Sequence, residues 1–184
     1  MPIKTFTTGE VLTAADTNTY LTNAGSQYVA AGTFTNVASV DVTGFSSTFD
    51  FYQLFLLIKK HTAGVCDVTA QVVAGATVRN AGYYGAVRYA AFDATTGFAA
   101  NRNNGANIYV TSTAQANPSV INASVHGIDD QEFVFNMQAY DSANSRAIYG
   151  SYTNYTAPNS FTLIRFTGTA NITGYWNLTG IRKP

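Results

Sequence analysis

The sequence predicts an all-β fold, an antiparallel β-sandwich of jelly-roll type preceded by a short helical anchor segment. Three observations lead there. From about residue 28 onward, apolar residues recur at every second position in one run after another, the periodicity of strands with one face on a core. Clusters of Gly, Asn, Asp and Pro separate these runs and supply turns. The 184-residue chain holds two Glu and seven Leu, which excludes the composition of a coiled coil.

In chain order, Leu12-Thr13-Ala14-Ala15-Asp16 reads as a helix start. Thr13 is placed to cap it and Asp16 lies toward the positive end of the helix dipole. The helix is expected over 14–23, with Gly25 as its stop. A helix of about ten residues is marginal alone in water and needs a surface to lie on. We divide the chain into residues 1–27, an anchoring segment, and residues 28–184, the sandwich.

Strands follow. Ala38, Val40 and Val42 alternate with Ser39 and Asp41, and Cys66, Val68, Ala70 and Val72 with Asp67, Thr69 and Gln71. Ile121, Ala123 and Val125 alternate with Asn122, Ser124 and His126; Phe133, Phe135, Met137 and Ala139 alternate with Glu132, Asn136 and Gln138. The run from Phe51 to Ile58 is apolar on both faces, so it is a central strand or one that a partner covers. Further strands are expected near 83–92, 106–112, 146–152, 161–167 and 172–182. Gly44, Gly64, Gly75, Asn80-Ala81-Gly82, Asn103-Asn104-Gly105 and Asp141–Asn144 are turn material. The longest loops are expected at 93–105 and 111–118.

Composition narrows the function. Ten basic residues balance ten acidic ones, so the basic surplus of a nucleic-acid binder is missing. The single cysteine, Cys66, excludes an intrachain disulfide and reads as a small buried hydrophobe. No apolar run approaches the ~18 residues of a membrane span, and Met1–Phe6 lack the apolar stretch of a signal peptide. Charged residues make up 11% of the chain, against roughly 25% in ordinary domains. The outward positions carry Thr, Asn, Ser and Gln instead, a surface that can pack on another protein without desolvating charge. Sheet edges with so few charges also need cover, so we expect oligomerisation.

No catalytic constellation stands out. His61 and His126 are too isolated for a zinc site and read as surface residues. Asp129, Asp130 and Glu132 form the one acidic cluster but lack the ladder of a calcium loop. No nucleophile elbow or phosphate loop is present. We therefore expect no enzyme, no cofactor and no metal. The aromatics are richer. Tyr83, Tyr84, Tyr89, Tyr149, Tyr152 and Tyr155 fall in or beside strands and loops, where tyrosines serve equally as core, subunit interface or glycan-stacking platform. Trp176 alternates with Leu178 and Ile172 and reads as core.

The stretch Phe6-Thr7-Thr8-Gly9-Glu10-Val11-Leu12-Thr13-Ala14-Ala15-Asp16-Thr17-Asn18-Thr19-Tyr20-Leu21 resembles the N-terminal segment of tailed-bacteriophage virion proteins. Val42–Leu54, with its Phe-Ser-Ser-Thr turn, resembles the first hairpin of their sandwich, and Ile172–Lys183 its closing strand. The resemblance implies a virion component, assembled in the host cytoplasm, usually a homotrimer, with no cofactor. It implies docking on capsid or tail proteins through Phe6, Val11, Leu12, Tyr20 and Leu21. The anchor meets the sandwich with no shaft between, as in a short appendage, a tail fibre or spike, or a capsid-bound knob. Its expected roles are adhesion to host-surface polysaccharide or capsid stabilisation as a cement protein. A free carbohydrate-binding module or lectin is the alternative, and a glycan depolymerase a more distant one.

Overall fold

The computed structural model describes residues 9, 13, 25–62, 64–91, 96–126, 133–154 and 161–182. The helix expected over 14–23 lies outside them, as do Phe6, Val11, Leu12, Tyr20, Leu21, Tyr155 and the acids Asp129, Asp130 and Glu132. Eleven strands are described: β1 (Ser26–Thr43), β2 (Phe49–Lys60), β3 (Val65–Ala74), β4 (Thr77–Val78), β5 (Tyr83–Ala91), β6 (Thr96–Gly105), β7 (Ile108–Ala114), β8 (Ser119–His126), β9 (Phe133–Asp141), β10 (Arg146–Asn154) and β11 (Leu163–Arg182). Every pairing among them is antiparallel.

The strands form a jelly-roll-like sandwich from one curled sheet. The larger layer runs from the first half of β1 through the second half of β11 to β2, β8, β9, β10, β5 and β6. The smaller layer joins the second half of β1, the first half of β11, β3 and β7, with β4 extending the β3 edge. Two long strands thus pass together from one layer to the other.

Their shared corner has a visible chemistry. On β1 the register shifts between Phe34 and Ser39, and Asn36 takes a left-handed φ of 55°, a conformation that asparagine tolerates better than most residues. Asn171 of β11 donates through Nδ2 to the Asn36 carbonyl at 3.3 Å and to its Oδ1 at 2.9 Å. Gly168 makes the bend possible on the β11 side. A Cβ there would sit 2.5 Å from the Ala170 carbonyl oxygen and 2.9 Å from Cys66 Sγ, so the strand folds back on itself only where no side chain intervenes.

The core lies between the layers. Leu54, Leu56 and Ile58 of β2, Ile121 and Val125 of β8, Phe133 and Phe135 of β9 and Ile148 of β10 meet Cys66, Val68 and Val72 of β3, with Ile164 and Phe166 of β11. Each large apolar side chain buried in this way contributes about 1.5–3 kcal/mol. The Phe-Ser-Ser-Thr turn is fixed from inside: Phe45 packs 4.9 Å from the Tyr52 ring and 5.1 Å from that of Phe161. The Tyr52 hydroxyl accepts from the Ser46 N–H at 2.7 Å and donates to its carbonyl at 2.8 Å. Where β7 crosses the larger layer the filling turns polar. Thr113 Oγ1 donates to the Ile58 carbonyl at 2.9 Å, and Ser119 Oγ to that of Ser112 at 2.9 Å.

Most expected strands appear, and the Phe51–Ile58 run is indeed central, between β11 and β8. Three expectations need correction. The loop expected at 93–105 contains β6, which pairs with β5; Thr96–Gly105 has no clean alternation, and its pairing to a neighbour decides what propensity does not. The loop expected at 111–118 is shortened because β7 continues to Ala114 through the buried Thr111, Ser112 and Thr113, polar residues whose hydrogen bonds are met inside. The strands expected at 161–167 and 172–182 are one strand, bent at Gly168.

Candidate functional site

Alternation sends every second residue of the larger layer outward, away from the core. The pairing register then decides which outward residues stand side by side. One row crosses the sheet as Asn177, Phe55, Asn122, Gln138, Tyr149 and Arg88; the next is Thr179, Gln53, Ser124, Asn136, Ser151 and Ala86. A third holds Ile181, Phe51, His126, Val134, Thr153 and Tyr84.

The first two rows bound an open groove of about 590 Å³, within the usual range of ligand clefts. Gln53, Asn122, Ser124, Asn136, Gln138 and Ser151 line it, with Tyr149, Arg88 and Ala86 toward β5 and β10. It spans β2, β8, β9, β10 and β5, four strand spacings or roughly 19 Å. A smaller hollow of about 220 Å³ shares Asn122, Gln138 and Tyr149 with it, so Tyr149 stands where the two meet.

The chemistry of the lining is specific. Asn and Gln each offer a carbonyl acceptor and two N–H donors, and Ser offers one donor with two acceptor positions, the complement that hydroxyl-rich ligands need. Ser151 Oγ already donates to Asn136 Oδ1 at 2.6 Å, which orients that amide. Tyr149 is 51% exposed and presents its ring as a stacking face. Arg88 is the cation in the lining. Beyond the groove, His126 meets the Phe51 ring edge-on at 4.4 Å, and burial holds its imidazole below the ordinary histidine range.

Of the six tyrosines the structure places the five among the described residues. Tyr149 lines the groove, and Tyr84 lies exposed in the third row of the same face. Tyr83 and Tyr152 are fully buried and belong to the core. The Tyr83 hydroxyl accepts from the Val72 N–H at 2.7 Å and donates to the Arg79 carbonyl at 3.1 Å; burial pushes it up to about 12. Tyr89 is half-buried under the Arg146 guanidinium, 4.3 Å from the ring centroid. Trp176 and Cys66 are buried, as expected. His61 is exposed, with Nδ1 3.3 Å from Thr173 Oγ1.

The groove's amides were visible as outward residues but not as a site. Asn122, Asn136 and Gln138 sit on β8 and β9, consecutive in the chain. Gln53 on β2 and Arg88 on β5 reach the same face through pairings of β2 with β8 and of β5 with β10, which no local pattern announces.

A second surface lies at the other end of the same face. Tyr175 packs 5.8 Å from Phe55, with Leu57 beside them in register. Tyr28 is 69% exposed, and Tyr175 and Ile181 are also exposed. β1, which forms this edge, holds no Lys, Arg or Pro. Among the described residues no helix is long and apolar enough to cross a membrane, and no group of three potential ligands could hold a metal ion.

No protein-family model matches the chain, and no curated protein matches it. Among solved structures it is similar to the galectin LEC-6 of Caenorhabditis elegans, at 8% identity over 83% of this chain and 94% of that one, with a TM-score of 0.38. It is also similar to a mutant of the alginate lyase Aly36B in complex with an alginate tetrasaccharide, at 10% identity over 94% and 92% of the two chains, with a TM-score of 0.32. These likenesses are loose, and no ligand is carried over from either.

Proposed function

We propose that this chain is a saccharide-binding structural protein of a phage particle, a short appendage docked by residues 1–27 whose sandwich adheres to host-surface glycan. The observation that carries the binding half is the groove: a hollow of about 590 Å³ lined by amides and hydroxyls with an exposed tyrosine beside them. Such a lining matches the hydroxyls and flat ring faces of a sugar. The proposed site lies on the outer face of the larger sheet.

The docking half rests on the Phe-x-x-Gly-Glu-Val-Leu-Thr-Ala-Ala-Asp-x-Asn-x-Tyr-Leu segment and its resemblance to phage virion proteins. Self-association, as a homotrimer, is supported by the aromatic surface around Tyr28, Phe55 and Tyr175 and by an edge strand without Lys, Arg or Pro. It covers the apolar end of the face and leaves the polar end open. Many copies on one particle then convert weak single sites into firm adhesion.

Two measurements test this reading. Full-length protein is expected to bind host-surface polysaccharide, and binding is expected to fall at least about tenfold in Tyr149→Ala, as the loss of a stacking aromatic at a contact centre does. Deletion of residues 1–25 is expected to leave a folded sandwich that is missing from purified particles. Normal incorporation of the truncated chain contradicts the docking role. Release of the protein's hold on particle stability, without any glycan binding, favours a cement role instead.

A further inference from the structure

We infer that the groove holds an extended stretch of glycan, several sugar rings long and laid across the strands, with Tyr149 stacking on one ring and Gln53 meeting another farther along the chain. The inference rests on the saccharide-binding reading and adds the size and direction of its ligand. The outward rows run across the sheet, because cross-strand partners stand side by side. One row carries the short side chains of Ser124, Ser151 and Ala86, and the neighbouring row carries the longer Asn122, Gln138 and Tyr149. The hollow between them therefore follows the rows and crosses the strands.

The lining residues are spread along that direction. Gln53 on β2 and Tyr149 on β10 are three strand spacings apart, roughly 14 Å, more than one sugar ring covers. The exposed amides of Asn122, Asn136 and Gln138 occupy the interval. Contacts that read a single sugar or a chain end converge on one ring, whereas these are strung out in a line. A peptide adding as a strand has no place here, since it needs a free sheet edge. The strands under the groove, β2, β8, β9, β10 and β5, are each paired on both sides, and their ladder groups are used within the sheet. Recognition here falls to side chains, and amide donors and acceptors set at intervals suit a chain that presents hydroxyls along its length.

The test uses the full-length chain and calorimetric titration with size-graded fragments of host-surface polysaccharide, from single sugars to octasaccharides. Affinity is expected to rise at least about tenfold from the disaccharide to the tetrasaccharide, as added rings reach further amides, and to level off once the groove is spanned. Gln53→Ala is expected to weaken the long fragments by about fivefold, the worth of one hydrogen bond, and to leave the disaccharide unchanged. Tyr149→Ala is expected to weaken every length. A single sugar or disaccharide that binds as tightly as the octasaccharide overturns the inference and leaves the saccharide-binding reading intact. So does a Gln53→Ala variant that keeps the full gain with length, or one that loses short and long fragments alike. Binding at no length overturns both.

Discussion

Tyr83 shows how a residue that reads as a binding aromatic serves the core. Its hydroxyl is buried, caps the Val72 N–H and so ties β3 to the start of β5. Tyr83→Phe strands that N–H without a partner and is expected to cost about 1–3 kcal/mol, read by chemical denaturation. Ionisation gives a second readout. The folded-state value is raised to about 12 from an ordinary 10, so this contribution is fully present below about pH 10 and is lost as pH rises from there through 12. Alkaline titration is expected to destabilise the wild type in that window, with a smaller slope in Tyr83→Phe. Asp141 holds the β9–β10 turn. It is fully buried and accepts from the Ala143 and Asn144 N–H groups, from Asn144 Nδ2 and from Arg146 Nε. Asp141→Ala leaves Arg146 without its ion-pair partner and is expected to cost about 3 kcal/mol, a fall in melting temperature of roughly 6–12 °C.

Among the elements, the long strands carry the architecture. β11 pairs with β3 by its first half and with β2 by its second, so its bend closes the sandwich. Gly168→Ala places a methyl group 2.5 Å from the Ala170 carbonyl oxygen. It is expected to destabilise the fold by more than the 0.5–1 kcal/mol (approximately) of an ordinary glycine–alanine exchange in a strand, and a thermal melt measures it. Period-two alternation made β3, β8 and β9 legible, because each has an apolar face on the core and a polar one outside, while β2 was legible as a run apolar on both faces. It failed for β6, whose sequence Thr96–Gly105 has no apolar rhythm, and for the first half of β1, where the Val29-Ala30-Ala31-Gly32 stretch crosses a register shift. It also failed to join 161–167 to 172–182, since the residues between them carry the bend at Gly168 and no apolar rhythm. The groove was half legible. Asn122, Ser124, Asn136 and Gln138 stand out as outward residues, but a site needs neighbours, and the neighbours come from non-local pairing.

At the scale of the molecule, the outer face of the larger sheet is divided. Its β1–β11–β2 end is aromatic and its β8–β9–β10–β5 end is polar. In the function we propose, association belongs to the first end and ligand to the second. Full-length protein is expected to sediment as a trimer, and Tyr28→Lys with Tyr175→Lys to shift it toward monomer, because charge is placed at the part of the β1 edge, residues 26–34, that carries none. Groove binding per subunit is expected to survive that change. On that proposal, the neutral surface read from composition permits association without desolvating charge.

The most direct test of the saccharide site is a map of where the ligand sits. Backbone amide shifts of the full-length chain, followed during titration with oligosaccharide fragments of host-surface polysaccharide, report this residue by residue. The account predicts that the largest changes cluster at Gln53, Arg88, Asn122, Gln138 and Tyr149. Changes confined to the β3–β7 layer, or none at saturating sugar, contradict it.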